Sequence, residues 1–206
     1  QLLSKNKLLQ SISSNEIQYV REIKTKQKTS AKIDKEIEKI IARAIAESNR
    51  KKKISSKVFA LTPEAKILSN NFTSNKGKLP WPVEKGYVTL KYGKQPHPVV
   101  KTATIQSNGI RIITASSQNV RSIFNGVIYR IISSKNGSKT ILVQHGNFFT
   151  VYKNLSTIYV EKGDEVSTKQ DLGEIITNKI SGQTILSFSL FKDNKTENPL
   201  LWLGQK

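Results

Sequence analysis

Cysteine and methionine are both absent from the 206 residues, and histidine occurs only twice. Without cysteine there is neither a disulfide framework nor a thiolate-rich metal site. Without a methionine the first residue is not an initiator, so a processed or trimmed fragment is expected, with any signal peptide lying before Gln1. A hydrolytic zinc centre takes about three protein ligands, and neither His97 nor His145 stands at helical ligand spacing from a partner. A metal site built on these two is not expected. No run reaches the ~18–20 apolar residues of a membrane-crossing helix. A G-x-S-x-G nucleophile elbow and a Gly-rich phosphate loop are missing as well.

Acidic residues are also scarce. Against 34 Lys and Arg stand 15 Asp and Glu, for a formal charge of +19. Such a surface is drawn to polyanions, whether nucleic acid, anionic lipid or cell-wall polymer. The excess divides almost evenly before and after residue 60, so it is a property of the whole surface and no basic tail is present. A solvated, lysine-rich surface explains it better than a dedicated nucleic-acid site. Toward the C-terminus the acids Glu161, Asp164, Glu165, Asp171 and Asp193 fall in turn-like stretches, where solvation outweighs acid/base work.

Glycine and proline are missing from Gln1 to Lys53, and there the apolar residues keep helical spacing. Leu2, Leu9, Ile12, Tyr19 and Ile23 fit heptad positions interrupted by Lys5 and Glu16, the pattern of a coiled-coil end. Ile33, Ile37, Ile40, Ile41, Ala44 and Ile45 form one stripe on a helix expected to start near Ser30. Its other face is charged, so the stripe has to bury itself against something, ordinarily its own domain's core. "NRKKKISSK" ends this helix in a basic loop, and "LTPEAKIL" opens another with Thr62 as N-cap and Pro63 at the first helical position.

After Gly77 turn residues recur between short β-branched runs. Strands are predicted over residues 87–91, 110–115, 122–132, 140–145, 148–154, 158–160, 173–177 and 184–192. The fold class is therefore a mainly β C-terminal domain preceded by an α-helical arm. Residues 1–29 read as coiled-coil remnant, 30–78 as regulatory arm and linker, and 79–206 as the β domain. The residues by themselves point to a binding module and away from an enzyme.

Within that domain "KLPWPVEKGYVTLKYGKQPHPV", "NGIRI", "VRSIFNGVI", "ILVQHGNFFTVYKNLSTIYVEKGDEVSTKQDLGEI" and "ILSFSLFKDNKTENPLLWL" follow one another in the order and spacing of the lysostaphin/LytM zinc endopeptidases. The chain resembles in particular the EnvC-type murein hydrolase activators, in which a LytM-like domain follows a coiled coil. In active members an HxGxD block gives two zinc ligands, and a later HxH gives the third ligand and a catalytic histidine. Matched through Gly109, the first two positions hold Ser107 and Arg111; the HxH positions hold Ile185 and Ser187, and the YxHL histidine falls on Asn154. The resemblance thus implies antiparallel LytM-like sheets with no zinc, no catalytic residue and no other cofactor. His97 and His145 match non-ligand positions, where a packed, hydrogen-bonded imidazole is expected.

The same resemblance implies a partner. EnvC-type domains bind and activate zinc-dependent N-acetylmuramoyl-L-alanine amidases, which cleave septal peptidoglycan, and a helix between coiled coil and LytM domain blocks the groove until an FtsEX-type membrane complex acts through the coiled coil. Residues 31–50, with the isoleucine stripe, are placed to be that helix. The amidase groove is expected near Ser107, Arg111, Tyr152, Asn154 and Ser187, in the periplasm of a Gram-negative bacterium, with peptidoglycan as a further partner and no nucleic acid. Arg111 is expected to meet a helix carboxylate, Glu36, Glu38 or Glu47. The alternative is a peptidoglycan- or polyanion-binding module that works through its basic surface.

Overall fold

The computed structural model describes residues 2–51, 53, 56, 58–96, 103–134 and 137–205, with side chains in the first helix described for residues 18–50. His97 and the N-terminal heptad side chains of Leu2, Leu9 and Ile12 lie outside the described residues. A helical arm leads into a mainly antiparallel β domain, as the change of texture after Lys53 predicts.

The arm is one helix, α1, Leu2–Lys51. It runs through Ser30, where the stripe suggests a fresh start. Nothing there interrupts it: no Gly or Pro intervenes, and the hydroxyls of Thr25 and Thr29 fold back onto the carbonyls of Arg21 and Thr25 without displacing helical bonds. Near its C-terminus Asn49, 3% exposed, holds the returning chain. Its Nδ2 donates to the Ser56 and Val58 carbonyls at 2.7 and 2.9 Å, and its Oδ1 accepts from the Ala60 amide at 2.7 Å. Helix α2, Pro63–Ser74, begins as predicted, with the Thr62 hydroxyl accepting from the Ala65 amide at 3.2 Å and Pro63 at the first position.

The strands follow in chain order: β1 Tyr87–Leu90, β2 Gly93–Pro96, β3 Thr104–Ser107, β4 Ile110–Thr114, β5 Asn119–Arg121, β6 Gly126–Ser133, β7 Lys139–His145, β8 Phe148–Ile158, β9 Glu165–Val166, β10 Asp171–Ile175, β11 Thr184–Lys192 and β12 Lys195–Glu197. Of the single strand expected over 122–132 only the part from Gly126 forms, as β6; residues 122–125 are a bend after β5, with the Ser122 hydroxyl turned onto the Phe124 carbonyl at 2.7 Å. Residue 158 ends β8, and no separate strand follows at 158–160. The sequence pattern misses β2, β3, β5, β9 and β12, which are short and lack a run of alternating apolar residues.

The main sheet runs in the order β1-β4-β11-β8-β7-β6-β9, with β10 attached to β8 and β5, and β12 to β11. Side chains alternate across it. One face carries Ile110, Ile112, Ile141, Val143, Phe148, Tyr152, Leu186, Phe188 and Leu190 into the main core, closed by Phe72 of α2 and by Trp202. The other face carries Leu142, Phe149, Val151 and Phe191, and on it lie Ile37, Ile41, Ala44 and Ile45 of α1. The stripe is therefore buried on the back of the sheet, with Ile33 and Ile40 at its margin.

Candidate binding groove

The sheet face that receives α1 changes chemistry along its length. Where Phe149, Val151 and Phe191 stand it is apolar; farther along β8 and β11 the same alternation brings up Lys153, Ser187 and Ser189. Across β11, Ser187 pairs with Arg111 of β4. Lys153, Ser187 and Arg111 are thus cross-strand neighbours on three adjacent strands, pointing the same way. With Ser107 and Asn108, at the turn into β4, they wall a cleft of about 440 Å³ whose opposite side is α1, from Lys24 to Glu38. Gly109 allows that turn to sit on β11, since a Cβ there would run into the Phe188 carbonyl oxygen and the Ser189 hydroxyl.

One residue of the arm reaches into this polar end. The Lys153 ammonium donates to Asp34 Oδ1 at 2.7 Å, and the two side chains are only 15% and 14% exposed. Asn108 Nδ2 donates to Asp34 Oδ2 at 3.4 Å. Desolvation by its neighbours lowers the pKa of the Arg111 guanidinium below its ordinary value, and Asp34 opposes that shift. Arg111 nevertheless keeps an exposed surface and stays a cation at any physiological pH. Two turns farther out, Gln27 donates to the Thr104 carbonyl at 3.0 Å. The arm therefore matches the groove twice, with a carboxylate over the cations and isoleucines over the apolar strip.

Of the residues assigned to the groove from sequence, Ser107, Arg111 and Ser187 meet in this cleft. Tyr152 does not. It is fully buried on the opposite face of the sheet, where its hydroxyl accepts from the Ile123 amide at 3.1 Å and lies 3.2 Å from the Thr150 hydroxyl. The pleat is the reason: in β8 the residue beside Ser187 is Lys153, so its neighbour Tyr152 has to point away. Asn154 is turned aside as well. It is the extra residue where the β7–β8 register slips, with φ +77°, and its side-chain amide donates to the Ile185 carbonyl at 2.7 Å. The helix segment facing the cleft is residues 24–38, upstream of most of the expected 31–50. Among the helix acids it is Asp34 that acts on Arg111, in place of Glu36, Glu38 or Glu47. Asp34, Asn108 and Lys153 are the residues that sequence reasoning missed.

A divalent cation does not suit this donor set. At the positions that the LytM resemblance assigns to metal and catalysis stand two hydroxyls, a guanidinium, an isoleucine and a carboxamide already committed to a backbone carbonyl. The Ser107 hydroxyl donates to the Gly109 carbonyl at 2.8 Å. Two cations beside it add repulsion, and among the described residues no group of three His, Asp or Glu side chains gathers elsewhere. His145 is bound into the core: Nδ1 meets the Asn125 carbonyl at 2.6 Å and Nε2 the Thr150 hydroxyl at 2.8 Å, and burial depresses its pKa to about 4.

Known proteins share this fold. A chain of the SpoIIQ–SpoIIIAH pore-forming complex is 22% identical over 63% of this chain and 92% of its own, with a TM-score of 0.52. A zinc-containing peptidase from Vibrio cholerae is 22% identical over 61% of this chain and 40% of its own, with a TM-score of 0.51. Csd3 from Helicobacter pylori is 20% identical over 62% and 35%, with a TM-score of 0.52. This chain thus spans less than half the length of the last two, and at these identities the likeness is one of fold. No curated protein matches. Residues 106–199, which include Arg111, Lys153 and Ser187, match the model of peptidase family M23. Over that stretch, a little under half of the chain, the β domain is similar to the M23 peptidase family.

Proposed function

We propose that the protein is a non-catalytic activator of zinc-dependent N-acetylmuramoyl-L-alanine amidases, acting on septal peptidoglycan in the periplasm and held inactive by its own arm. The observation that carries this reading is the seat of α1: Asp34 bonded to Lys153 in the cleft, and Ile37, Ile41, Ala44 and Ile45 on the apolar strip beside it. An occupied groove with a guanidinium at one of the positions that the LytM resemblance assigns to metal, and a second cation beside it, does not suit zinc and substrate, but it can exchange one helix for another. The amidase would take the place of α1, and a population shift toward the released arm is all that activation requires. An FtsEX-type membrane complex pulling on the coiled-coil end of the arm would supply that shift.

The test uses a purified cognate amidase on dye-labelled sacculi, with the full chain and its Ile41→Asp variant. Placing a carboxylate in the apolar seam expels α1, so the variant should stimulate dye release several-fold more than the parent. Equal stimulation by both removes self-inhibition. If neither stimulates an amidase, or if the purified protein carries one zinc per chain, the activator reading is lost.

A further inference from the structure

The polar end of the groove has a charge problem that Asp34 solves. Lys153 is 15% exposed and its ammonium is satisfied by Asp34 at 2.7 Å; Arg111 lies on the same sheet face, separated from it by Ser187. When the arm leaves, two cations remain with no carboxylate between them. A largely buried ammonium that loses its counter-ion is costly, so an apolar or basic segment could not replace α1. Any occupant of equal fit has to bring an anion to that spot.

The rest of the occupant is specified by the apolar strip. Counted from Asp34, the buried apolar residues of α1 fall at +3, +7, +10 and +11, namely Ile37, Ile41, Ala44 and Ile45. This is the spacing of one helical face, and it carries the carboxylate at the N-terminal end of the apolar run. Free acids or the carboxylates of peptidoglycan stem peptides would satisfy Lys153 and Arg111 but leave Phe149, Val151 and Phe191 bare.

We infer that the groove recognises an amphipathic helix of a partner protein that places one carboxylate on Lys153 and Arg111 and apolar side chains about three, seven and ten to eleven residues after it. The inference rests on the activator reading to the extent that α1 must vacate the groove. Arg111, at a position that the LytM resemblance assigns to metal, becomes with Lys153 a carboxylate receptor, and Asp34 is the internal copy of the partner's acid.

The probe is a fluorescent peptide spanning residues 28–50 of this chain, made with its native Asp34 and again with Asn at that position. The receptor is the full chain carrying Ile41→Asp, and in a second preparation Ile37→Asp with Asp34→Asn, which releases the arm from both ends of the groove. On either receptor the native peptide should bind at least about tenfold more tightly than the Asn peptide. A tenfold preference is worth about 1.4 kcal/mol. Added salt should erode the preference, and Lys153→Ala in the receptor should abolish it. Equal binding of the two peptides, binding of neither on both receptors, or a preference that survives Lys153→Ala would overturn the inference. Displacement of the probe by stem-peptide carboxylates as effectively as by the unlabelled helix would overturn the requirement for a helix. No amidase enters this assay. A chain that discriminates the peptides without stimulating amidases would leave the inference standing and remove the activator reading, and the converse result would do the opposite.

Discussion

Lys153 and Asp34 are separated by 119 positions in the chain and by 2.7 Å in the fold. That contact ties the arm to the sheet beside Ser187 and Arg111, two of the positions that the LytM resemblance assigns to metal and catalysis. Removing one partner strands the other in a place with little water. Asp34→Asn is therefore expected to destabilise the docked arm by about 1–3 kcal/mol, less than the largest values for buried pairs because each side chain keeps some exposure. Amide exchange should accelerate over residues 24–45 and stay slow in β7, β8 and β11. Asp34→Leu combined with Lys153→Met should recover much of the loss, since a matched apolar pair has no charge to desolvate. Uniform acceleration across the β domain in Asp34→Asn would contradict the local role given to this pair.

At the apolar end the stake is packing. Ile41 is 0% exposed between Phe149, Val151 and their neighbours. Ile41→Ala should cost about 2–5 kcal/mol of arm docking through lost burial and the cavity left behind. Ile180, 99% exposed at a turn, supplies the control: Ile180→Ala should change stability by less than about 0.5 kcal/mol. Urea titrations followed by a fluorophore on the arm would separate the two.

Much of this architecture is legible in the sequence because alternation and helical spacing are local signals. The stripe Ile33 to Ile45 announces a buried helix face, Thr62-Pro63 announces a helix start, and β7, β8 and β11 stand out as apolar runs. The groove is legible only in part. Ser107, Arg111 and Ser187 are found through their family positions, yet the facing of β8 depends on its register with β11, and the slip at Asn154 hides that register from any count along one strand. Counting by twos back from Asn154 selects Tyr152, whereas the pairing of Ser187 selects Lys153. Asp34 escapes notice because a charged residue beside an apolar stripe looks like the wet side of a helix until the surface beneath it is known. The uninterrupted passage of α1 through Ser30 is hidden for a related reason: polar helix surface looks alike whether or not it faces a groove.

His145 makes stability depend on pH. In the unfolded chain its imidazole takes a proton below about pH 6.5, but in the folded protein it resists protonation until about pH 4, mainly through burial. The unfolded state then binds more protons in that window, so this group's contribution is complete above pH 6.5, declines as the pH falls and levels off below about pH 4. At pH 5 the loss amounts to about 2 kcal/mol. Urea midpoints measured at pH 7.5 and pH 5.0 should fall accordingly in the parent protein, and His145→Gln should flatten the difference. A variant that keeps the full decline would assign it to other groups.

Tyr152 and Arg111 separate the core face of the sheet from its groove face. Tyr152→Phe removes the oxygen that accepts the buried Ile123 amide at 3.1 Å. An amide left without a partner costs about 1–3 kcal/mol, so thermal stability should drop, while the groove opposite keeps every side chain and should bind a helix as before. Arg111→Ala should behave in the reverse manner. Its side chain lies on the groove face and outside both hydrophobic cores, so the melting temperature should hold, but one of the two cations around Asp34 disappears. Helix docking should weaken, and its salt dependence should shrink with the charge removed. Melting curves and peptide titrations on the same two variants therefore cross over. If Tyr152→Phe impaired helix binding at unchanged stability, the tyrosine would have to face the groove, and the pairing of Lys153 with Ser187 across β8 and β11 would be wrong.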